Sequence, residues 1–267
     1  MKEQILEELK SLNQQEKQDL FFNLTSFENN FIQIKDQTYQ ADKFEILSAL
    51  IEAGIDVNAK NNFGATPLFE VKSKEAAEFL IQHGADVNTR DNRGETPLFY
   101  VNSKEITELF IQAGADVNAK NNYGETSLFF AKSVQIAELL IQHGTNVNAK
   151  NHFGDISLFY AKAKEMAEFL IQAGADINTI NEDKNTPLHW HDNQAIVELL
   201  IQQGADIHIK NKNNETPTEY HCSYGNDNLA DFIKQKAFEK AIKLEQEKLN
   251  QNLPQSPQNS NHPQYRL

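Results

Sequence analysis

Three histidines and the only cysteine fall in two neighbouring stretches of the chain, as His189, His191, His221 and Cys222. Imidazole and thiolate are the usual ligands of zinc, but the spacing matches no standard zinc pattern. No metal or cofactor is expected. The sequence also has no nucleophile elbow, phosphate-binding glycine loop or His-Glu-x-x-His helix. Its acids recur as copies thirty residues apart, which is not how a single acid–base site looks, so no enzyme is expected. The side chains suited to another kind of work are aromatic. Tyr100, Phe130, Tyr160, Trp190 and Tyr220 share one position of the thirty-residue period, which Glu70 opens. Phe69, Phe99, Phe129 and Phe159 precede that row by one residue. Large rings gathered on one surface are where interfaces concentrate binding energy. Phe63, Arg93, Tyr123 and Phe153 form a third set, in Asn-rich segments, and a base recurs at Lys60, Arg90, Lys120, Lys150 and Lys210.

A repeat positions these rows. Gly54, Gly84, Gly114, Gly144, Gly174 and Gly204 each open a near copy of one phrase, from Gly54-Ile-Asp-Val-Asn-Ala-Lys to Gly204-Ala-Asp-Ile-His-Ile-Lys. Units of this kind pack mainly on their neighbours and present long surfaces. In residues 61–90, Thr66-Pro67 predicts a helix start, threonine capping and proline at the first helical position. Ser73 predicts a second cap, for a helix from Lys74 with Ala76, Ala77, Leu80 and Ile81 on one side and Glu75, Glu78 and Gln82 on the other. Gly84 stops it in a left-handed conformation, and Asp86–Gly94 reads as a turn-rich hairpin. The tips fall at 62–63, 92–93, 122–123, 152–153, 182–183 and 212–213. This geometry sets Arg90 across from Glu95, Lys120 from Glu125, Lys150 from Asp155 and Lys210 from Glu215, ion pairs of ~0.2–1 kcal/mol each.

Thr-Pro-Leu-Phe at 66–69 and 96–99, Thr-Pro-Leu-His at Thr186–His189 and Gly114-Ala-Asp-Val-Asn-Ala resemble the motifs of the ankyrin repeat family, over roughly residues 41–236. The resemblance implies an all-α, elongated and curved solenoid of paired antiparallel helices joined by β-hairpin-like loops. It makes His189 an ordinary motif histidine. It also implies a protein partner held by two surfaces: a concave groove with Tyr100, Phe130, Tyr160, Trp190 and Tyr220, and hairpin tips with Phe63, Arg93, Tyr123 and Phe153. Tyr160 and Trp190 would be the central anchors. The row from Phe69 to Phe159 would be inter-repeat core. The family's unit is about 33 residues and this one is thirty; the missing three fall between Val71 and Lys74. The first helix should therefore lose about one turn, which could instead rotate the groove rings into the core. The tip rings could likewise pack sideways on the next hairpin.

The chain divides into a helical cap at 1–40, a degenerate first repeat at 41–60, five units at 61–210, a capping repeat with a long helix at 211–249 and a disordered polar tail at 250–267. Ile5, Leu6, Leu9 and Leu12, then Leu20, Phe21 and Leu24, supply the cap's apolar face. Ile156-Ser157 replaces Thr-Pro in one unit, and a lost cap there should open the array first near 151–165. With 25 basic and 38 acidic residues the 267-residue chain carries −13, which repels phosphate, so neither nucleic acid nor membrane is an expected partner. Met1-Lys2-Glu3-Gln4 does not open a signal peptide and no apolar run is long enough to span a bilayer, so a cytoplasmic monomer is expected. The charge also suits an acidic immunity or inhibitor protein that masks a basic toxin. A structural or host-interacting role is the third reading.

Overall fold

The computed structural model describes residues 2–26, 31–34, 37–40 and 42–251. Helices α1 (Lys2–Ser11) and α2 (Gln14–Ser26) lead to an antiparallel pair, β1 (Phe31–Ile34) and β2 (Gln37–Gln40), with Ile32 opposite Tyr39. This small hairpin departs from the purely helical N-terminus expected; Ile32-Gln33-Ile34 alternates as a strand does. Ile5, Leu9, Leu12, Leu20, Phe21 and Leu24 are buried and continuous with the core of the array. Helix α3 (Lys43–Glu52) buries Ile46, Leu47 and Leu50. Helix α2 lies against both α3 and the Pro67–Glu70 turn, so it stands where a first helix would for the unit ending near residue 60.

Each following unit is one turn and one helix. The turns are Pro67–Glu70, Pro97–Phe99, Ser127–Phe130 and Ser157–Tyr160 in 3-10 form, and a single α turn, α8 (Pro187–Trp190). The helices are α4 (Lys74–Gln82), α5 (Lys104–Gln112), α6 (Val134–Gln142), α7 (Lys164–Gln172) and α9 (Gln194–Gln202). The shorter period thus comes out of the first helix, leaving about one turn, the length at which the tighter 3-10 geometry is common. Ala77, Thr107, Ala137, Ala167 and Val197 are fully buried, small enough for successive helices to approach. The last unit regains a full first helix, α10 (Pro217–Ser223), and ends in α11 (Asp227–Gln251). Asn250 and Gln251 are therefore helical, and the rest of the expected tail, 252–267, lies outside the described residues. No helix among the described residues is long and apolar enough to cross a membrane.

One asparagine per unit joins neighbours. Asn58 Nδ2 donates to the Gly84 carbonyl at 2.9 Å, and its Oδ1 accepts from Asp86 N–H at 2.8 Å. Asn88, Asn118, Asn148 and Asn178 repeat the same pair of bonds one unit on each time. The glycines they reach, with φ between +89° and +105° from Gly84 to Gly204, end the helices in the left-handed region as expected.

The caps divide into two groups. Ser73, Ser103 and Ser133 accept from Ala76, Ile106 and Ile136 N–H. The threonines do not behave as expected: Thr66, Thr96 and Thr126 cap nothing, and their buried hydroxyls have no partner among the described residues. The reason is the residue three places on. In α8, His189 Nδ1 accepts from Thr186 N–H at 3.0 Å and lies 2.9 Å from its hydroxyl, and in α10 the Glu219 carboxylate does the same for Thr216. Phe69, Phe99 and Phe129 stand there in the other units and offer no polar atom. Ile156, fully buried, therefore forfeits no cap bond that Thr66, Thr96 or Thr126 makes; only Thr186 and Thr216 gain partners, from His189 and Glu219. The missing cap in this unit is one turn later, where Ala163 precedes α7. Ala163→Ser is expected to add ~1 kcal/mol of stability and to slow amide exchange first at the start of α7; unchanged exchange there would count against the assignment.

Candidate partner-binding groove

Adjacent residues on a 3-10 turn point about 120° apart, so each turn sends one ring inward and the next outward. Phe69, Phe99 and Phe159 are buried and Phe129 is half-buried, while Tyr100, Phe130 and Trp190 keep 39%, 40% and 47% of their surface exposed. Tyr160 and Tyr220 are half-buried. The shortened helix has not turned the row into the core. Four inner rings support the outer ring of the next unit: Phe69 lies 5.6 Å from Tyr100, Phe99 5.7 Å from Phe130, Phe129 5.6 Å from Tyr160 and His189 5.8 Å from Tyr220, all tilted or edge-on. A trough of about 530 Å3 opens along Tyr100, Phe130 and Tyr160, with Arg93, Lys132 and Lys162 also on its wall.

Two of the tyrosines are held by their hydroxyls as well. Tyr100 Oη lies within hydrogen-bond reach of Glu95 and of Asp91 Oδ2 (3.1 Å), and Tyr160 Oη donates to Asp155 Oδ2 at 2.8 Å. Burial first, then these carboxylates, raise both phenols well above the ordinary tyrosine range. Glu95 and Asp155 are themselves 6% and 3% exposed. Asn121 Nδ2 donates to Glu95 and Glu125, Asn181 Nδ2 to Asp155, and Asn211 Nδ2 to Asn185 and Glu215. The same asparagines cap the hairpins: Asn121 Oδ1 accepts from Tyr123 and Glu125 N–H. A polar seam beneath the groove thus links units at three joints, Glu95 to Asn121, Asp155 to Asn181 and Asn185 to Asn211.

That seam corrects the expected cross-strand ion pairs, none of which forms among the described residues. The acids turn inward to the asparagines and tyrosines, and the bases reach along the stack instead. Lys60 Nζ donates to the Arg90 carbonyl, Arg90 to those of Gly94 and Lys120, Lys120 to that of Lys150 and Lys150 to that of Ile180.

The tips stack through backbone. Asn92 N–H donates to the Phe63 carbonyl at 2.9 Å, and Asn122, His152, Glu182 and Lys212 continue the chain from Arg93, Tyr123, Phe153 and Asp183. Backbones meet, so the side chains stand out: Phe63 is 75% exposed, and Tyr123, Phe153 and Arg93 are exposed too. The sideways packing considered for these rings does not occur.

His189, His191 and His221 spend their ring nitrogens on backbone. Nε2 of each donates across units to the Glu215, Leu158 and Leu188 carbonyls at 3.2, 2.8 and 3.2 Å. Burial lowers all three pKa values from the ordinary imidazole value. The folded chain therefore binds fewer protons than the unfolded one just below that value. Its stability is complete above pH ~6.5 and falls as the pH drops further. Thermal melts should show the loss between pH 7 and 5, with exchange accelerating in 186–225 before the units at 61–150; pH-independent melting would contradict it.

Sequence reasoning missed the asparagine seam and the lysines on the groove wall, Lys72, Lys132 and Lys162. The asparagines recur at thirty-residue steps from Asn121 to Asn211, and the lysines fill three of the five copies of one position; the shared register is the signal that could have found them.

A family model described as "Ankyrin repeats (3 copies)" matches in overlapping copies at residues 38–121, 70–151, 100–181, 128–211 and 156–244. No curated protein sequence matches the chain. Among solved structures, the ankyrin repeat domain of Bcl-3, described as a unique member of the IkappaB protein family, superposes with a TM-score of 0.56 at 23% identity. The alignment covers 70% of this chain and 91% of that one.

Proposed function

The chain belongs to the ankyrin repeat family, and from that premise we propose that it is a non-enzymatic module whose concave groove and hairpin tips bind one partner protein. Ankyrin repeats generally mediate protein–protein interaction, and nothing in this chain points to catalysis. The observation that carries the groove is the row of part-exposed rings, of which Tyr100, Phe130, Tyr160 and Tyr220 are supported from below by a ring of the preceding unit. Rings already held in place lose little freedom on binding, which favours affinity.

The test uses Phe130→Ala/Trp190→Ala. Tyr160 is a poorer choice than the sequence suggests, because its truncation would also strip Asp155 of a donor. A partner recovered from source-cell lysate should bind the double variant roughly a hundredfold more weakly, with an unchanged helical spectrum. A partner retained at full affinity removes the groove from the proposal and leaves the tips. The inhibitor reading draws on the charge of −13. A basic ligand would have to use the outer helix faces, where Glu75, Glu78, Glu105 and Glu108 lie, because bases stand on the groove wall.

A further inference from the structure

Acids outnumber bases 38 to 25 in this chain, yet its groove is bordered by bases. Arg93, Lys132 and Lys162 line the large trough. Lys72, Arg93 and Lys132 line the adjoining hollow beside Phe63, and Lys162 continues to the Trp190 end. The three lysines occupy one position of the repeat, two residues after the ring row, and all are exposed. Unlike Lys74 and Lys104, which pair with Glu78 and Glu108, they have no ion pair or hydrogen bond among the described residues. The acids nearest them are mostly engaged. Glu95 holds Tyr100 and Asn121, and Asp91 accepts from Tyr100 and from the Arg93 and Glu95 amides. Glu70 marks one end of this basic stretch and Asp192 the other.

We propose that the groove takes an extended acidic segment of the partner protein, its carboxylates toward Lys72, Arg93, Lys132 and Lys162 and its apolar side chains between the rings. This rests on the groove reading above and adds the chemistry of the ligand. Lys132 and Lys162 stand one unit apart, each beside a ring, Arg93 supplies the base in the unit before them, and packed helix layers repeat at ~10 Å. An extended chain advances ~3.3 Å per residue, so an acid about every third residue keeps step with the lysines. Rim cations of this kind steer and select a ligand. A polyphosphate chain would also seek the lysines. The outer helix faces, with Glu75, Glu105, Glu138 and Glu168, repel a long polyanion, whereas a short peptide meets only the groove.

The experiment is a random-peptide display selection on the full chain, followed by binding of the selected peptides to Lys132→Glu/Lys162→Glu, Lys132→Gln/Lys162→Gln and Phe130→Ala/Trp190→Ala. Selected peptides should be rich in Asp and Glu interspersed with aromatic or aliphatic residues. Charge reversal should weaken them about tenfold or more, neutralisation less, and the ring variant should weaken them too, all with unchanged helical spectra. A selection that enriches nothing, or peptides without excess acid, overturns the proposal. So does displacement of the peptides by oligothymidine. Peptides lost in the ring variant but indifferent to both lysine variants leave the groove standing and remove the acidic preference. Peptides indifferent to the ring variant overturn both.

Discussion

Gly154→Ala is expected to destabilise the protein by about 3 kcal/mol or more, while Gly174→Ala costs roughly 1–2 kcal/mol. Both glycines have positive φ, +79° and +94°, so alanine is strained at either. The difference lies in what a methyl group would meet. At Gly174 it meets nothing within 4 Å. At Gly154 it would sit 2.9 Å from the Glu182 amide nitrogen and 3.1 and 3.2 Å from Asn181 Cα and C, all backbone. The tip chain closes there through the Glu182 N–H bond to Phe153, so relief of the clash must separate two units. Urea denaturation of the two variants measures the gap; equal losses would show that the tips yield freely.

Asn121→Ala should cost about 3 kcal/mol, against ~1 kcal/mol for Asn148→Ala. The side chain of Asn121 makes four bonds and that of Asn148 two, and Asn121 is 5% exposed whereas Asn148 is exposed. Removing Asn148 frees the Gly174 carbonyl and the Asp176 amide where water can reach them. Removing Asn121 strips the Tyr123 and Glu125 amides of their acceptor and leaves Glu95 and Glu125 without a donor between them. Buried carboxylates that lose a partner retain their desolvation cost with less to offset it. Matched losses for the two variants would mean that water already enters the seam.

How far the sequence disclosed this structure depends on whether an interaction lies within one unit or between units. Serine caps, glycine stops and tip positions follow from local patterns, and all appear where Ser73, Gly84 and Asn62–Phe63 put them. The ring row stays out of the core, with Tyr100, Phe130 and Tyr160 along one trough. The failures concern partners from elsewhere. Threonine at 66, 96 and 126 looks like a cap, but whether its hydroxyl finds a partner is decided by the residue three places on. Arg90, Lys120, Lys150 and Lys210 look like halves of cross-strand pairs, but the acids opposite turn to asparagines, Glu95 and Asp155 to those of the next unit and Glu125 and Glu215 to those of their own. The co-occurrence of Glu95 with Tyr100 and Asp155 with Tyr160, five residues apart, was visible in the sequence. Its meaning, a phenol anchored beneath the groove, needed the fold.

The stitching bonds have a consequence for the history of the chain. Asparagine to glycine spans 26 residues, asparagine to the following amide 28, and base to carbonyl 30, at one joint after another. A whole unit cut out or spliced in would find the same donors and acceptors waiting on both sides. Length can therefore change by duplication or loss without any new bond having to be invented. Only the two ends, where α2 and α11 close the stack, are not interchangeable with the interior.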